Sequence, residues 1–360
     1  MVGRGTTQDR RDPLFRQDLQ PLGYKFKYGN EQLVNYTDLA FLSEDLLLVS
    51  VRELTREELH YTVLPSGVAM YDNPSGASTS PTSLSTLFLY NVTDKNAMRS
   101  AKLPVRKVER AVWPGTIGSF LMLSSYGLQR CTTDFVCTEP RSTDGPLYVS
   151  PKGTSVVIGG SQFTEQHLVD TESLAIVESF PPRLPKVIPG DVGFLLEDSK
   201  TVVRMPGQQD VNLGLVGSNT FPETRFLNSD KVIGIKMHSL ADGTATVVGV
   251  DGTVLYQIPV KDAWRGHAHL IACSCGLRFA VTELYYTRIN SLVNFFDIGD
   301  TRDYNRARVR AFDVASGRQL FELSWDPRGY RGESILPAFS PSGRRLALVR
   351  KGQLQVYEIP

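Results

Sequence analysis

The sequence predicts an all-β chain folded as a seven-bladed β-propeller whose ring is closed by an N-terminal strand pairing with the C-terminal blade. Three observations predict it. The last stretch, SILPAFSPSGRRLALVRKGQLQVYEIP (334–360), reads as three short apolar strands separated by Pro341-Ser342-Gly343 and Lys351-Gly352. Weakened copies of it recur along the chain at the spacing of four-stranded blades, roughly 40 residues. Its final apolar strand would leave an open sheet edge, an aggregation liability unless another segment covers it.

The copies run in order: LAFLSEDLLLVSV (39–51), LYVSPKGTSVVIGG (147–160), TRFLNSDKVIGIK (224–236) and LIACSCGLRFAVTE (270–283). Each is an apolar strand, a polar turn and a second apolar strand. Third strands with Asp, Thr or Ser turns follow in LFLYNVTDKNA (87–97), HLVDTESLAIV (167–177), ATVVGVDGTVLYQI (245–258) and VRAFDVASGRQLFEL (309–323). Segments 108–139 and 185–214 fill the two gaps. The second is ragged, which leaves six or eight blades compatible with the pattern. The terminal unit lacks its fourth strand. Residues 22–28, LGYKFKY, alternate Tyr24, Phe26 and Tyr28 with Lys25 and Lys27, the period-2 signature of a strand with one buried face. They are expected to close the ring, leaving 1–20 as a flexible tail and 21–360 as one propeller domain.

The phrases FSPSGRRLALV and FDVASGRQLFEL resemble those of bacterial β-propellers of the WD-repeat-like, TolB-type and lactonase-type superfamily. The resemblance spans roughly 21–360 and implies the fold, with either a binding role or hydrolase chemistry at the channel mouth. Trp325-Asp326 occurs once and out of place in its unit, unlike the standard WD repeat. Lactonase-type propellers place acidic and basic residues around the channel, but no such set maps onto this chain.

Two insertions break the repeat, about 55–85 and 288–305, both between the second and third strands of a unit, in the first and sixth blades. That position always emerges on one face of a propeller. Long loops on a rigid scaffold are where binding residues concentrate. The candidates on this rim are Arg52 and Glu53 in the first blade, and Glu283, Tyr285, Tyr286, Arg288, Phe295, Phe296 and Asp297 in the sixth. Mixed Arg, Tyr and acid suits protein or glycan recognition.

Other features direct the reading less. The formal net charge of 360 residues is +1, so no strong field draws nucleic acid or anionic membrane. No apolar run reaches the roughly 20 residues of a membrane span, and the polar start carries no signal-peptide pattern. Cys131 and Cys137 bracket TTDFV, a length that permits a hairpin disulfide and with it an oxidising, periplasmic or secreted setting; two half-buried thiols fit equally well. His267, His269, Cys273 and Cys275 share one face if 267–275 is a single strand, but ligands strung along a strand do not converge on a tetrahedral ion. They are read as a packed strand with Cys273 in the place of Phe339. Asn35-Tyr36-Thr37 and Asn91-Val92-Thr93 match the glycosylation triplet, a match common by chance. No cofactor or metal is expected. The reading is a non-catalytic binding scaffold for a protein or polysaccharide; the alternatives are a propeller hydrolase or lactonase, and a structural subunit of a surface assembly.

Overall fold

A computed structural model describes residues 12–22, 35–53, 61–63, 69–71, 83–94, 96–105, 112–116, 118–143, 148–159, 164–182, 186–197, 201–215, 224–237, 242–261, 268–285, 306–326 and 336–360. Strand β1 (Phe15–Asp18) comes first, followed by a single 3-10 turn at Gln20–Leu22. Blade 1 holds β2 (Asn35–Phe41) and β3 (Leu46–Glu53). A small hairpin, β4 (Tyr61–Val63) and β5 (Ala69–Tyr71), then interrupts it before β6 (Ser83–Asn91) and β7 (Asn96–Val105). Blade 2 has three ladder strands, β8 (Val112–Pro114), β9 (Ser119–Ser124) and β10 (Gly127–Thr132). Blade 3 is β11 (Tyr148–Val149), β12 (Ser155–Gly159), β13 (Gln166–Asp170) and β14 (Ile176–Phe180). Blade 4 is β15 (Lys186–Pro189), β16 (Phe194–Glu197), β17 (Thr201–Arg204) and β18 (Val211–Asn212). Blade 5 is β19 (Thr224–Phe226), β20 (Lys231–Met237), β21 (Asp242–Gly249) and β22 (Val254–Lys261). Blade 6 is β23 (Ala268–Ala272), β24 (Arg278–Tyr285), β25 (Arg306–Asp313) and β26 (Gln319–Trp325). Blade 7 is β27 (Ala338–Phe339), β28 (Arg345–Arg350) and β29 (Gln353–Glu358), with β1 as its outer strand.

The inner strands, such as β9 and β28, are apolar on both faces because each blade is sandwiched between two others. In β28, Leu346 and Leu348 pack toward blade 6 with Phe321 and Ile271, whereas Ala347 and Val349 pack toward blade 1 with Leu39 and Val49. The same division by odd and even position repeats at every seam, so the described core falls into seven clusters, one for each pair of adjacent blades. This is why the strongest strands read as continuous apolar runs rather than alternating ones.

Ring closure is as expected in kind, but by a different segment. Phe15 pairs with Val356 and Asp18 with Gln353. The part of the expected tail from Phe15 to Asp18 is therefore the closing strand; of the expected strand 22–28, Leu22 lies in the 3-10 turn and the rest lies outside the described residues. An edge strand needs few anchors. Phe15 is 1% exposed beside Tyr90, and Leu19 is fully buried and donates its N–H to the Gly352 carbonyl at 3.0 Å. Two apolar residues four apart among charges leave no period-2 signal.

One face of the disc carries the turns between first and second strands. Gly153 N–H donates to the Ser150 carbonyl at 2.9 Å and Gly343 N–H to the Ser340 carbonyl at 2.8 Å. These turns are tied from blade to blade. Lys152 N–H donates to Asp191 Oδ1 (2.9 Å), Asn228 Nδ2 to the Gly276 carbonyl (3.0 Å) and Arg278 Nη1 to the Gly343 carbonyl (2.7 Å). At the closure, Arg345 Nη1 donates to the Glu44 carbonyl and to Asp45 Oδ1, both at 2.6 Å. The same face carries the third-to-fourth-strand turns, where one side chain caps the corner. Asp170 accepts from Ser173 N–H at 2.7 Å, Asp313 from Ser316 N–H at 2.8 Å and Asn91 from Thr93 N–H at 2.9 Å. Asn91 of the second glycosylation triplet is thus the cap of a turn.

Blade 2 completes itself irregularly. Residues 137–141 run beside β10 through two isolated bridges, Cys131 to Cys137 and Leu128 to Arg141, and the two cysteines are bonded. Gly127 (φ 136°) lets the Arg141 carbonyl approach where any Cβ would collide with it.

Candidate functional site: the loop face

The opposite face carries the connections between blades and between second and third strands. Most of the latter are short: Lys351-Gly352 joins β28 to β29 with both residues at positive φ (53° and 72°), a hairpin turn that keeps blade 7 low. Two are long: residues 54–82 in blade 1, containing the β4–β5 hairpin, and residues 286–305 in blade 6. The two blades that carry them, 1 and 6, flank blade 7. The first insertion ends at Ser83, where β6 begins, so Ser83 and Ser85 belong to the strand.

Each insertion rises from a stem fixed by buried polar groups. In blade 1 the Ser50 and Ser85 hydroxyls, both fully buried, hydrogen-bond across β3 and β6, and Ser85 also donates to the Val51 carbonyl at 3.4 Å. In blade 6 the stem is ionic. Glu283 is 0% exposed. It takes a bidentate pair from Arg308 (Nε to Oε2 2.6 Å, Nη2 to Oε1 2.7 Å) and a second from Arg310 (3.0 and 3.1 Å). The Lys261 N–H donates to Glu283 Oε1 at 2.7 Å, and Arg310 Nη2 donates to the Pro259 carbonyl at 2.7 Å. The network therefore bolts the blade 6 stem to the outer strand of blade 5. Burial pushes Arg310 down from the usual arginine range, and the Glu283 carboxylate opposes that.

The sequence candidates land unevenly. Glu283 is inside the stem, not on the rim, because the alternation that points it away from blade 7 turns it into the blade 5 seam beside Phe279 and Val281. Arg52 and Glu53 close β3 opposite Tyr36 and Asn35, and Tyr285 ends β24 opposite Arg306. Tyr286, Arg288, Phe295, Phe296 and Asp297 lie outside the described residues. The structure adds Ser50, Ser85, Arg308 and Arg310. The signal that could have found the arginines is RARVR (306–310): charges at alternate positions of a strand that is otherwise buried demand an acid opposite.

The central channel is lined by the innermost strands of all seven blades, including Phe41, Trp113, Tyr148, Ile188, Phe226 and Phe339, around a cavity of about 90 Å³. Beside it, polar groups of blades 4 and 5 are paired with one another. Lys186 Nζ is 3.3 Å from Glu197 Oε2 and 4.7 Å from the centre of the Tyr148 ring, and Thr224 donates to Glu197. Among the described residues no three His, Cys, Asp or Glu side chains group to hold a metal. The expected packed strand 267–275 is shorter: β23 stops at Ala272, Cys273 to Gly276 form the turn, and His267 lies outside the described residues. Matching Gly276 with Gly343 puts Cys273 in the place of Ser340, not Phe339.

Among the described residues no helix is long and apolar enough to cross a membrane. No protein-family model and no curated protein matches the sequence. Solved structures do match by fold. The WD40 domain of Toxoplasma gondii coronin is 8% identical with a TM-score of 0.51, over 90% of this chain and 84% of that one. Kluyveromyces lactis Hsv2p is 11% identical with a TM-score of 0.45, over 89% and 90%. Dihydro-heme d1 dehydrogenase NirN, solved in complex with DHE, is 12% identical with a TM-score of 0.39, over 74% and 59%. Identities this low speak to fold alone, and the coronin domain carries that comparison: the chain has a β-propeller fold.

Proposed function

We propose that this propeller is a non-catalytic binding scaffold that recognises a protein, or a polymer such as a polysaccharide, through the loop face between blades 6 and 1. The supporting observation is an asymmetry. On one face the described turns are short and several are tied to the next blade, whereas the other carries two long connections, 54–82 and 286–305, in the blades on either side of a blade whose own connection is two residues long. Each long connection stands on a buried polar stem, which fixes its two ends and lowers the ordering cost on binding. A hydrolase at the channel has no comparable support, because Lys186, Glu197 and Thr224 already satisfy one another there.

The test is partner capture by the full chain against variants in which 54–82 or 286–305 is replaced by the Lys-Gly turn of blade 7. Loss of captured protein or glycan with either replacement, at an unchanged melting temperature, supports the reading. Undiminished capture with both replaced overturns it, as does turnover of a lactone panel that survives both replacements.

A further inference from the structure

We infer that Cys273 and Cys275 form a thiol–disulfide exchange site at the channel mouth, one whose bond is chemical rather than structural in purpose. The two sulfurs are bonded across one intervening residue. That residue, Ser274, lines the channel. A cross-link this short closes almost no loop and so removes little entropy from the unfolded chain. The turn does not need it: Cys273 N–H donates to the Arg278 carbonyl at 2.9 Å and Gly276 N–H to the Cys273 carbonyl at 3.0 Å. Blades 3 and 7 build the same turn with Ser150 and Ser340, whose hydroxyls accept the N–H of Ser155 and Arg345 at 3.1 Å, and without any cross-link.

The surroundings house both redox states. Cys273 Sγ lies 3.6 Å from the Ser340 carbonyl and 3.8 Å from that of Pro341, acceptors for a thiol. It also lies 3.2 Å from the Cys275 N–H, a donor for a sulfur carrying negative charge. Cys275 Sγ has the Leu277 N–H at 3.4 Å. Both sulfurs and the Arg278 side chain crowd against Gly343, so the guanidinium of Arg278, bound to the Gly343 carbonyl, adds positive charge beside the pair.

The half-buried Cys275 is the sulfur open to attack, since Cys273 is 0% exposed. The thiolate of an external dithiol bonds to Cys275 Sγ, and the electron pair of the protein S–S bond leaves on Cys273, which takes up a proton. The second thiolate of the dithiol then attacks its own bonded sulfur and expels Cys275 as a thiolate, which is also protonated. The dithiol becomes a disulfide, and the protein gains two electrons and two protons. Cys131–Cys137 is the internal contrast, because it clips an outer segment that pairs with β10 through isolated bridges and not through a continuous ladder.

The experiment equilibrates the full chain with reduced and oxidised dithiothreitol at graded ratios, then alkylates and maps the label by mass spectrometry. Cys273 and Cys275 should take up label at a reductant ratio about tenfold or more below that needed for Cys131 and Cys137. With oxidised glutathione, Cys273→Ser should carry a stable adduct on Cys275, while Cys275→Ser should carry none on the buried Cys273. Reduction of both pairs at one ratio, label on Cys273 and Cys275 in untreated oxidised protein, or an adduct on Cys275→Ser equal to that on Cys273→Ser would overturn the assignment.

Discussion

The two faces of the disc are built from the same repeat and are held in different ways. On the turn face, corners are capped by Asp170, Asp313 and Asn91, and successive blades grip one another through Lys152–Asp191, Asn228–Gly276, Arg278–Gly343 and Arg345–Asp45. Among the described residues nothing there departs from the repeat by more than a few residues. On the loop face the repeat breaks twice, and the strands at each break are held by buried polar groups, Ser50 with Ser85 in blade 1 and Glu283 with Arg308 and Arg310 in blade 6. The difference teaches that the turn face is kept short by caps and ties between blades, whereas on the loop face buried polar groups anchor the strands from which the repeat departs. Substitutions should separate the two, with turn-face and seam changes acting on stability and loop changes acting on binding.

The largest effect should come from the closure. Phe15→Ala removes a fully buried ring from the seam between blades 7 and 1, next to Tyr90. The cost should be about 3–5 kcal/mol, and deleting residues 1–19 should cost more and expose the β29 edge to aggregation. Chemical denaturation and light scattering report both, and a truncated chain that melts with the full one would contradict closure by β1.

Glu283→Gln comes next. It leaves Arg308 and the nearly buried Arg310 without their carboxylate, a loss of about 3 kcal/mol. Capture should fall too, since the stem positions 286–305. Loss of capture at unchanged stability would instead return Glu283 to the rim as a contact residue.

The smallest effect is in acid. The Ser173 N–H and hydroxyl hold Asp170 below its ordinary value of 3.8, and the Ser316 hydroxyl and N–H do the same for Asp313. The Asp45 carboxyl is lowered by the Thr93 hydroxyl and then by Arg345. Groups whose folded value is depressed stabilise the fold above the unfolded value and lose that contribution as pH falls through the folded one. The melting temperature should therefore drop below about pH 4, and Asp170→Asn with Asp313→Asn, which keep an oxygen for the cap, should flatten the drop. An equal drop in the double variant would show that other carboxylates control acid unfolding.

The ring was legible because propeller strands are short, apolar and punctuated by turns whose chemistry recurs: Ser340-Pro341-Ser342-Gly343 and Asp313 with Ser316 are the same corners in sequence and in space. Even the ragged segment 185–214 holds four strands, with Val187 and Ile188 dividing between two seams. Two things were not legible. The closing strand has only Phe15 and Leu19 to announce it, while the stronger alternation at 22–28 drew the assignment. The role of Glu283 depends on which blade its side of β24 faces, a property of the assembled ring and not of the local pattern.

The most direct test of the division between faces is hydrogen–deuterium exchange on the full chain with and without its captured partner. The account predicts new protection within 54–82 and 286–305 and none at the turns around Ser150, Cys273 and Ser340. Protection confined to those turns or to the channel strands would contradict it and move the binding site to the opposite face.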